Sequence, residues 1–239
     1  IRSTNRQVTK QHQYHTEMEA WQMAELIKTY RQAVPAMRFI GKDTVGQDGK
    51  DKVDEERVDG GFGKQWREWF ANGWFDQLQS NPGSKALYED GDATIGLMRW
   101  KKGEPFEYWI GVFCPQETAI PEGYAYVDFP EAELGVTWVY GKTNEVFAQE
   151  HKCAESCENQ GYTIIPDDLG AFWLFERYVC PRFTTPDEHG NIVLDICHYI
   201  GKAALQSDYE DVSGGAALYA QRASKFAGKS FVWKNVRGN

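Results

Sequence analysis

Apolar residues recur along this chain in two rhythms. Near its start Met18, Trp21, Met23, Ala24, Leu26, Ile27 and Tyr30 are spaced mostly by three or four, which predicts one amphipathic helix within residues 1–32. Pro35 stops it, Ala36 to Lys42 reads as a short strand, and the charged, glycine-bearing stretch Asp43 to Gly63 reads as a loop. From Lys64 to Gln79 the helical spacing returns, with Trp66, Trp69, Phe70, Trp74 and Leu78 on one stripe and Gly73 as its weak point. Asn81-Pro82-Gly83 closes that helix. Ala93 to Lys101 and Phe106 to Cys114 are rich in aromatic and β-branched residues, and the short glycine-containing link between them predicts a hairpin.

The same grammar then recurs. Strands are predicted at Tyr124 to Phe129 and Leu134 to Tyr140, a helix at Asn144 to Gln160, and strands at Ala171 to Cys180 and Asn191 to Ile200. Strand, helix, strand, strand thus occurs twice at a period of about ninety to one hundred residues, which implies two fused half-domains. The expected class is α+β: a duplicated β-α-β-β repeat whose two antiparallel half-sheets flank a central ligand cleft, with helices packed outside. The half-repeats fall at about 33–114 and 123–200, and residues 201–239, acidic and then basic, have no place in the repeat.

Composition narrows the function. With 41% hydrophobic and 26% charged residues in 239, the chain is globular in type, and no apolar run approaches the roughly 18 residues of a membrane span. The first ten residues lack the apolar core of a secretory signal, so the expected compartment is the cytoplasm. A formal charge of −9 repels phosphate backbones, so no direct nucleic-acid binding and no membrane partner are expected. Nine Trp, twelve Tyr and thirteen Phe are a high load, and they suit either a ring-heavy core or a wide aromatic site. The five cysteines are odd in number and contain no C-x-x-C, which argues against a disulfide framework. Cys153 and Cys157 lie one helical turn apart near His151 without a second ligand pair, so no metal or other cofactor is called for. GGFGK at Gly60 to Lys64 lacks the spacing of a phosphate loop, and neither G-x-S-x-G nor H-E-x-x-H occurs.

The strand Phe172 to Cys180 carries the most chemistry. Alternation puts Phe172, Leu174, Glu176, Tyr178 and Cys180 on one face, so a carboxylate stands among rings. Burying it ionised is costly, and Glu176 must pair, take up a proton, or face a cavity whose occupant compensates it. The structural alternative is an ion pair with Arg99 or Arg177. Candidate walls are Tyr108 with Trp109 and Trp138 with Tyr140; Glu107 is a second candidate carboxylate, and His198 is the histidine that could line a cavity.

The segments WREWFANGWFDQL, IGLMRW, FEYWIGVFCP, IPEGYAYVDFP, LGVTWVYG and FWLFERYVCPRFTTPDEHGNIVLDICHYI resemble the GyrI-like effector-binding family over about Ala33 to Ile200. The resemblance implies an aromatic site for large, flat, often cationic drug-like molecules, with Glu176 at the position of the family's pocket glutamate. Many relatives are fused to a helix-turn-helix and regulate transcription; this chain shows no such module. Some stand-alone relatives are similar to cyclopropanoid hydrolases, which would make Glu176 the group that orients water and Tyr140 or Tyr178 the proton donor, in detoxification without a metal. The expectation is therefore a protein that binds hydrophobic planar small molecules, as monomer or homodimer, with hydrolysis as an additional activity. The alternative is a non-catalytic sequestering or effector-sensing protein.

Overall fold

The computed structural model describes residues 24–43, 62–79, 84–147 and 149–201. Among the described residues nine strands form one antiparallel sheet: β1 (Glu25–Val34), β2 (Met37–Asp43), β3 (Thr94–Trp100), β4 (Glu107–Pro115), β5 (Ala125–Phe129), β6 (Ala132–Gly141), β7 (Thr163–Ile164), β8 (Phe172–Tyr178) and β9 (Ile192–Gly201). The helices are α1 (Gly63–Ala71), α2 (Trp74–Gln79), α3 (Thr143–Val146) and α4 (Glu150–Asn159). The order across the sheet is β1-β6-β9-β8-β3-β4-β2-β5, with β7 added on β9.

That order contains the duplication. β2, α1–α2, β3 and β4 form one unit, and β6, α3–α4, β8 and β9 the other; in each, the third strand lies between the first and second. The halves join edge to edge where β3 pairs β8, from Thr94↔Tyr178 to Trp100↔Phe172. β1 extends the sheet beyond β6, and β5 extends it beyond β2.

Both predicted long helices are broken. Gly73, at φ 61, separates α1 from α2, a backbone setting glycine adopts without steric cost. The helix predicted within residues 1–32 is corrected where the chain is described: Glu25–Val34 is a strand, and Met18, Trp21 and Met23 lie outside the described residues. The i, i+4 spacing of Leu26 and Tyr30 also fits the even period of a strand, and a register shift between Leu26 and Lys28 turns Leu26 to the helix side and Tyr30 to the curled side. The open edge of β6 takes up the backbone groups of β1, and Ile27, Thr29 and Val34 favour the extended form. Thr29 Oγ1 lies 3.1 Å from Thr137 Oγ1 and 2.7 Å from Ser156 Oγ, which ties β1 to β6 and to α4. The segments Asn81-Pro82-Gly83 and 202–239, and most of the loop predicted from Asp43, lie outside the described residues.

Two matching turns launch the strands of the second half. In Pro166-Asp-Asp-Leu-Gly170 the Asp167 Oδ1 accepts from the Leu169 and Ala171 amides at 2.9 and 2.8 Å. In Pro186-Asp-Glu-His-Gly190 the Asp187 Oδ1 accepts from the His189 and Asn191 amides, both at 2.9 Å. Each satisfies amides the turn would leave bare and sets the register of the strand after it.

The sheet has two unlike faces. One packs against the helices through Ile40, Met98, Tyr108, Ile110 and Leu174 in the first half and Val139, Tyr178, Leu194 and Ile196 in the second. The other buries Phe39, Ile95, Leu97, Trp109, Phe113, Phe175 and Cys197. The sheet curls around this second face: Phe129 of β5 stacks on Tyr199 of β9 at 5.2 Å, although four strands separate them in the sheet. No described helix is long and apolar enough to cross a membrane.

Candidate functional site

Strand parity decides which side chains meet. On β8, Leu174, Glu176 and Tyr178 face the helices, and Trp173, Phe175 and Arg177 face the curled core. Glu176 stands at the seam of the halves, opposite Gly96 of β3 and Ile196 of β9. Its Oε2 accepts from the Tyr108 hydroxyl at 2.8 Å and the Tyr178 hydroxyl at 2.6 Å. Trp66 of α1 donates its indole N–H to the Tyr108 oxygen at 3.0 Å, which orders the chain Trp66 to Tyr108 to Glu176. Rings enclose this chain. Phe62 lies parallel to Tyr108, Trp66 meets Tyr178 at 4.5 Å, Phe183 meets Tyr178 edge-on at 4.7 Å, and Phe147 approaches Tyr178 at 6.4 Å.

Glu176 is 6% exposed, and the arginines offered as its structural partners are engaged elsewhere. Arg177 turns to the opposite face and binds Asp195 at 2.7 Å, and Arg99 binds Glu107 and Glu104, both at 2.8 Å. Burial pushes the Glu176 carboxyl up to about 7, the negative charge of Glu150 at the start of α4 adds to this, and the two phenol donors oppose it. Burial first, and then the adjacent carboxylate, raise both phenols well above their ordinary range, so both keep their protons. The site therefore holds one buried negative charge, or the proton that cancels it, with no cationic side chain paired to it among the described residues.

Gly96 makes this arrangement possible. A Cβ there would come within 2.3 Å of the Tyr108 hydroxyl and 2.9 Å of Glu176 Oε2, so only glycine lets the phenol reach the carboxylate. We expect Gly96→Ala to cost about 1–3 kcal/mol in chemical denaturation. In a Tyr108→Phe background, where the nearest clashing oxygen is gone, the penalty should fall by at least half; an equal penalty in both backgrounds would refute the packing account.

Of the candidates read from the sequence, Glu176, Tyr108 and Tyr178 come together, one from the first half and two from the second. His198 shares their face one row along, fully buried opposite Leu174 and Gly135. Four others are corrected to the far face of the sheet. Glu107 accepts from the Trp109 indole at 3.1 Å and pairs with Arg99, and both lie on the curled side. Trp138 lies between Lys28 and Arg182, at 4.5 and 4.7 Å from its ring. Tyr140 donates to Asp187 Oδ2 at 2.5 Å and accepts from Asn191 at 2.9 Å, so it is no partner of Glu176. Each stands an odd step from the parity that faces the helices. Missed altogether were Phe62, Gly96, Phe147, Glu150 and Phe183; of these only Gly96, a glycine inside a strand pattern, carries a recognisable sign of close approach. Cys153 and Cys157 stand on the buried face of α4, where burial raises both thiols, Cys157 to about 11.

No family model and no curated protein sequence matches this chain. Among solved structures it is similar to SAV2435 bound to tetraphenylphosphonium, at 14% identity and a TM-score of 0.51, covering 74% of this chain and 95% of that one. It is also similar to a protein from Staphylococcus aureus MU50 assigned to bacterial transcription regulation, at 16% identity and a TM-score of 0.47, covering 72% and 97%. A hydrolase encoded by lin2189 from Listeria innocua matches at 14% identity and a TM-score of 0.41, covering 79% and 97%. The first match establishes a shared fold, one that fits the GyrI-like resemblance of the sequence; the other two add no further argument.

Proposed function

We propose that this protein binds lipophilic organic cations, with the positive charge set beside Glu176 and the apolar body among the rings of Tyr108, Tyr178, Trp66 and Phe147. The observation that carries this reading is a buried carboxylate held by two phenols and walled by aromatics, with no cationic side chain paired to it among the described residues. An organic cation brings the missing charge without the strong hydration of an ammonium or guanidinium, and ring faces favour it further. The SAV2435 structure, which shares this fold, holds tetraphenylphosphonium, and that supports the same ligand class here.

A hydrolytic role for Glu176 is the second reading. A carboxyl raised to about 7 beside phenol donors has the acid–base balance of a general base, and in this reading the Tyr178 hydroxyl, 2.6 Å from Glu176, would be the proton donor. Calorimetric titration separates charge from shape. Tetraphenylphosphonium should bind at least about tenfold more tightly than neutral triphenylphosphine oxide, because only the former compensates the buried charge. Equal affinities would sink the cation reading. Multiple turnovers of a cyclopropane-bearing substrate, followed by mass spectrometry, would establish the second.

A further inference from the structure

Two tyrosines on the curled side of the sheet, away from Glu176, carry hydroxyls that lack an acceptor among the described residues. Tyr199 of β9 is 8% exposed and its ring lies flat against Phe129, while Tyr88 enters the same core from the turn before β3. Both oxygens are buried, and they do not bond each other. Burial, with Tyr88 and Cys197 adding to it, holds the Tyr199 hydroxyl well above its ordinary range, and burial raises Tyr88 likewise against the pull of Arg177. Both keep their protons, so two donors face one small region beside Cys197.

A buried donor left bare forfeits the bond it made to water in the unfolded chain, and two such losses side by side are rare in folded proteins. The charges nearby decide what kind of guest answers them. Arg177 is matched by Asp195 at 2.7 Å and Arg182 by Asp90 at 2.6 Å, so an anion would bring an unmatched charge into the core. A water molecule brings none. It has two lone pairs for the two phenol hydrogens, and the sulfur of Cys197, fully buried two residues before Tyr199 on the same face, is an acceptor for one of its own hydrogens.

We propose that a single internal water bridges the Tyr88 and Tyr199 hydroxyls at the centre of the curl. The bridge ties the turn before β3 to β9, across the strand β8 that lies between them. Asp90, in the same turn, holds Arg182 and stands 3.7 Å from Arg177, the residue after Glu176 on β8. The water thus steadies from behind the strand that presents Glu176 on the opposite face, whatever ligand that glutamate takes.

The test is a cycle of Tyr88→Phe, Tyr199→Phe and the pair, followed by urea unfolding of the full chain. A shared water predicts that each single substitution lowers the folding equilibrium constant about fivefold and that the pair lowers it by no more than about tenfold, because both losses belong to one bridge. Bare hydroxyls predict the reverse: each phenylalanine raises the constant. A rise in both single variants, or a pair equal to the product of its singles, overturns the bridge. Water relaxation dispersion, which counts long-lived internal waters, should find one fewer in the pair than in wild type, and an equal count overturns it as well. Repeating the unfolding with acetate in place of chloride at fixed ionic strength should leave the gap between wild type and the pair unchanged. A gap that grows with chloride gives the place to an anion and overturns the water.

Discussion

Glu176→Gln should weaken tetraphenylphosphonium binding on the order of 100-fold at pH 8, the scale seen when one partner of a desolvated charge pair is removed. Gln keeps the volume and an oxygen for the Tyr108 and Tyr178 hydroxyls, so the loss reports charge rather than packing. The pH profile provides a second signature. With the carboxyl raised to about 7, wild-type affinity should be flat above that pH and fall about tenfold per unit below it, as the proton competes with the cation. The variant should show no such slope.

Stability should move the other way. A carboxyl whose folded value lies above its ordinary 4.5 favours the folded state at low pH, where that contribution is complete, and the contribution is lost as pH rises toward about 7. The span corresponds to roughly 3 kcal/mol, at 1.4 kcal/mol per unit. Glu176→Gln should therefore flatten the unfolding free energy across this window and be more stable than wild type at pH 8. Wild-type affinity together with an unchanged pH dependence would remove Glu176 from the binding site.

The second large effect lies on the other face of the same strand. Arg177 is fully buried and donates twice to Asp195 Oδ2, at 3.0 and 2.7 Å. Arg182 donates to both oxygens of Asp195, at 3.0 and 2.6 Å, and also engages Asp90 at 2.6 Å. Gln32 of β1 accepts from Arg177 Nη1 at 2.8 Å and Tyr30 of β1 from Nη2 at 3.3 Å, so the network fastens the added strand β1 to the centre of the sheet. Asp195→Ala leaves the buried Arg177 guanidinium with only the more distant Asp90, at 3.7 Å, as counter-charge and should cost about 3 kcal/mol in urea unfolding. Asp90→Ala, at a partly exposed position, should cost less than half as much. Arg177→Met combined with Asp195→Leu should recover part of the loss, because an apolar pair needs no desolvation. A loss under 1 kcal/mol for Asp195→Ala would show that the network adds nothing to stability.

Much of this architecture was legible along the chain. The two half-repeats, seven of the strands and the candidate status of Glu176 follow from period-two and period-three-to-four patterns, which the backbone enforces locally, whereas Gly73 was legible only as a weak point in a helix that the fold breaks there. β1 was not legible, because Glu25–Val34 has spacing that fits a helix and extends only because β6 offers an open edge. Trp138 and Tyr140 looked like cavity walls because strand alternation says which residues share a face without saying which face meets the helices.

What the sequence alone determined is a duplicated α+β unit with a carboxylate set among rings on a late strand. Which groups answer that carboxylate was decided by tertiary structure. The β3·β8 seam brings Tyr108 from the first half to Tyr178 and Glu176 of the second, Gly96 opens the space between them, and Asp195 draws Arg177 to the far face. The Tyr108–Glu176 and Arg177–Asp195 contacts join residues 68 and 18 positions apart along the chain, and local propensity carries no information about neighbours at such separations.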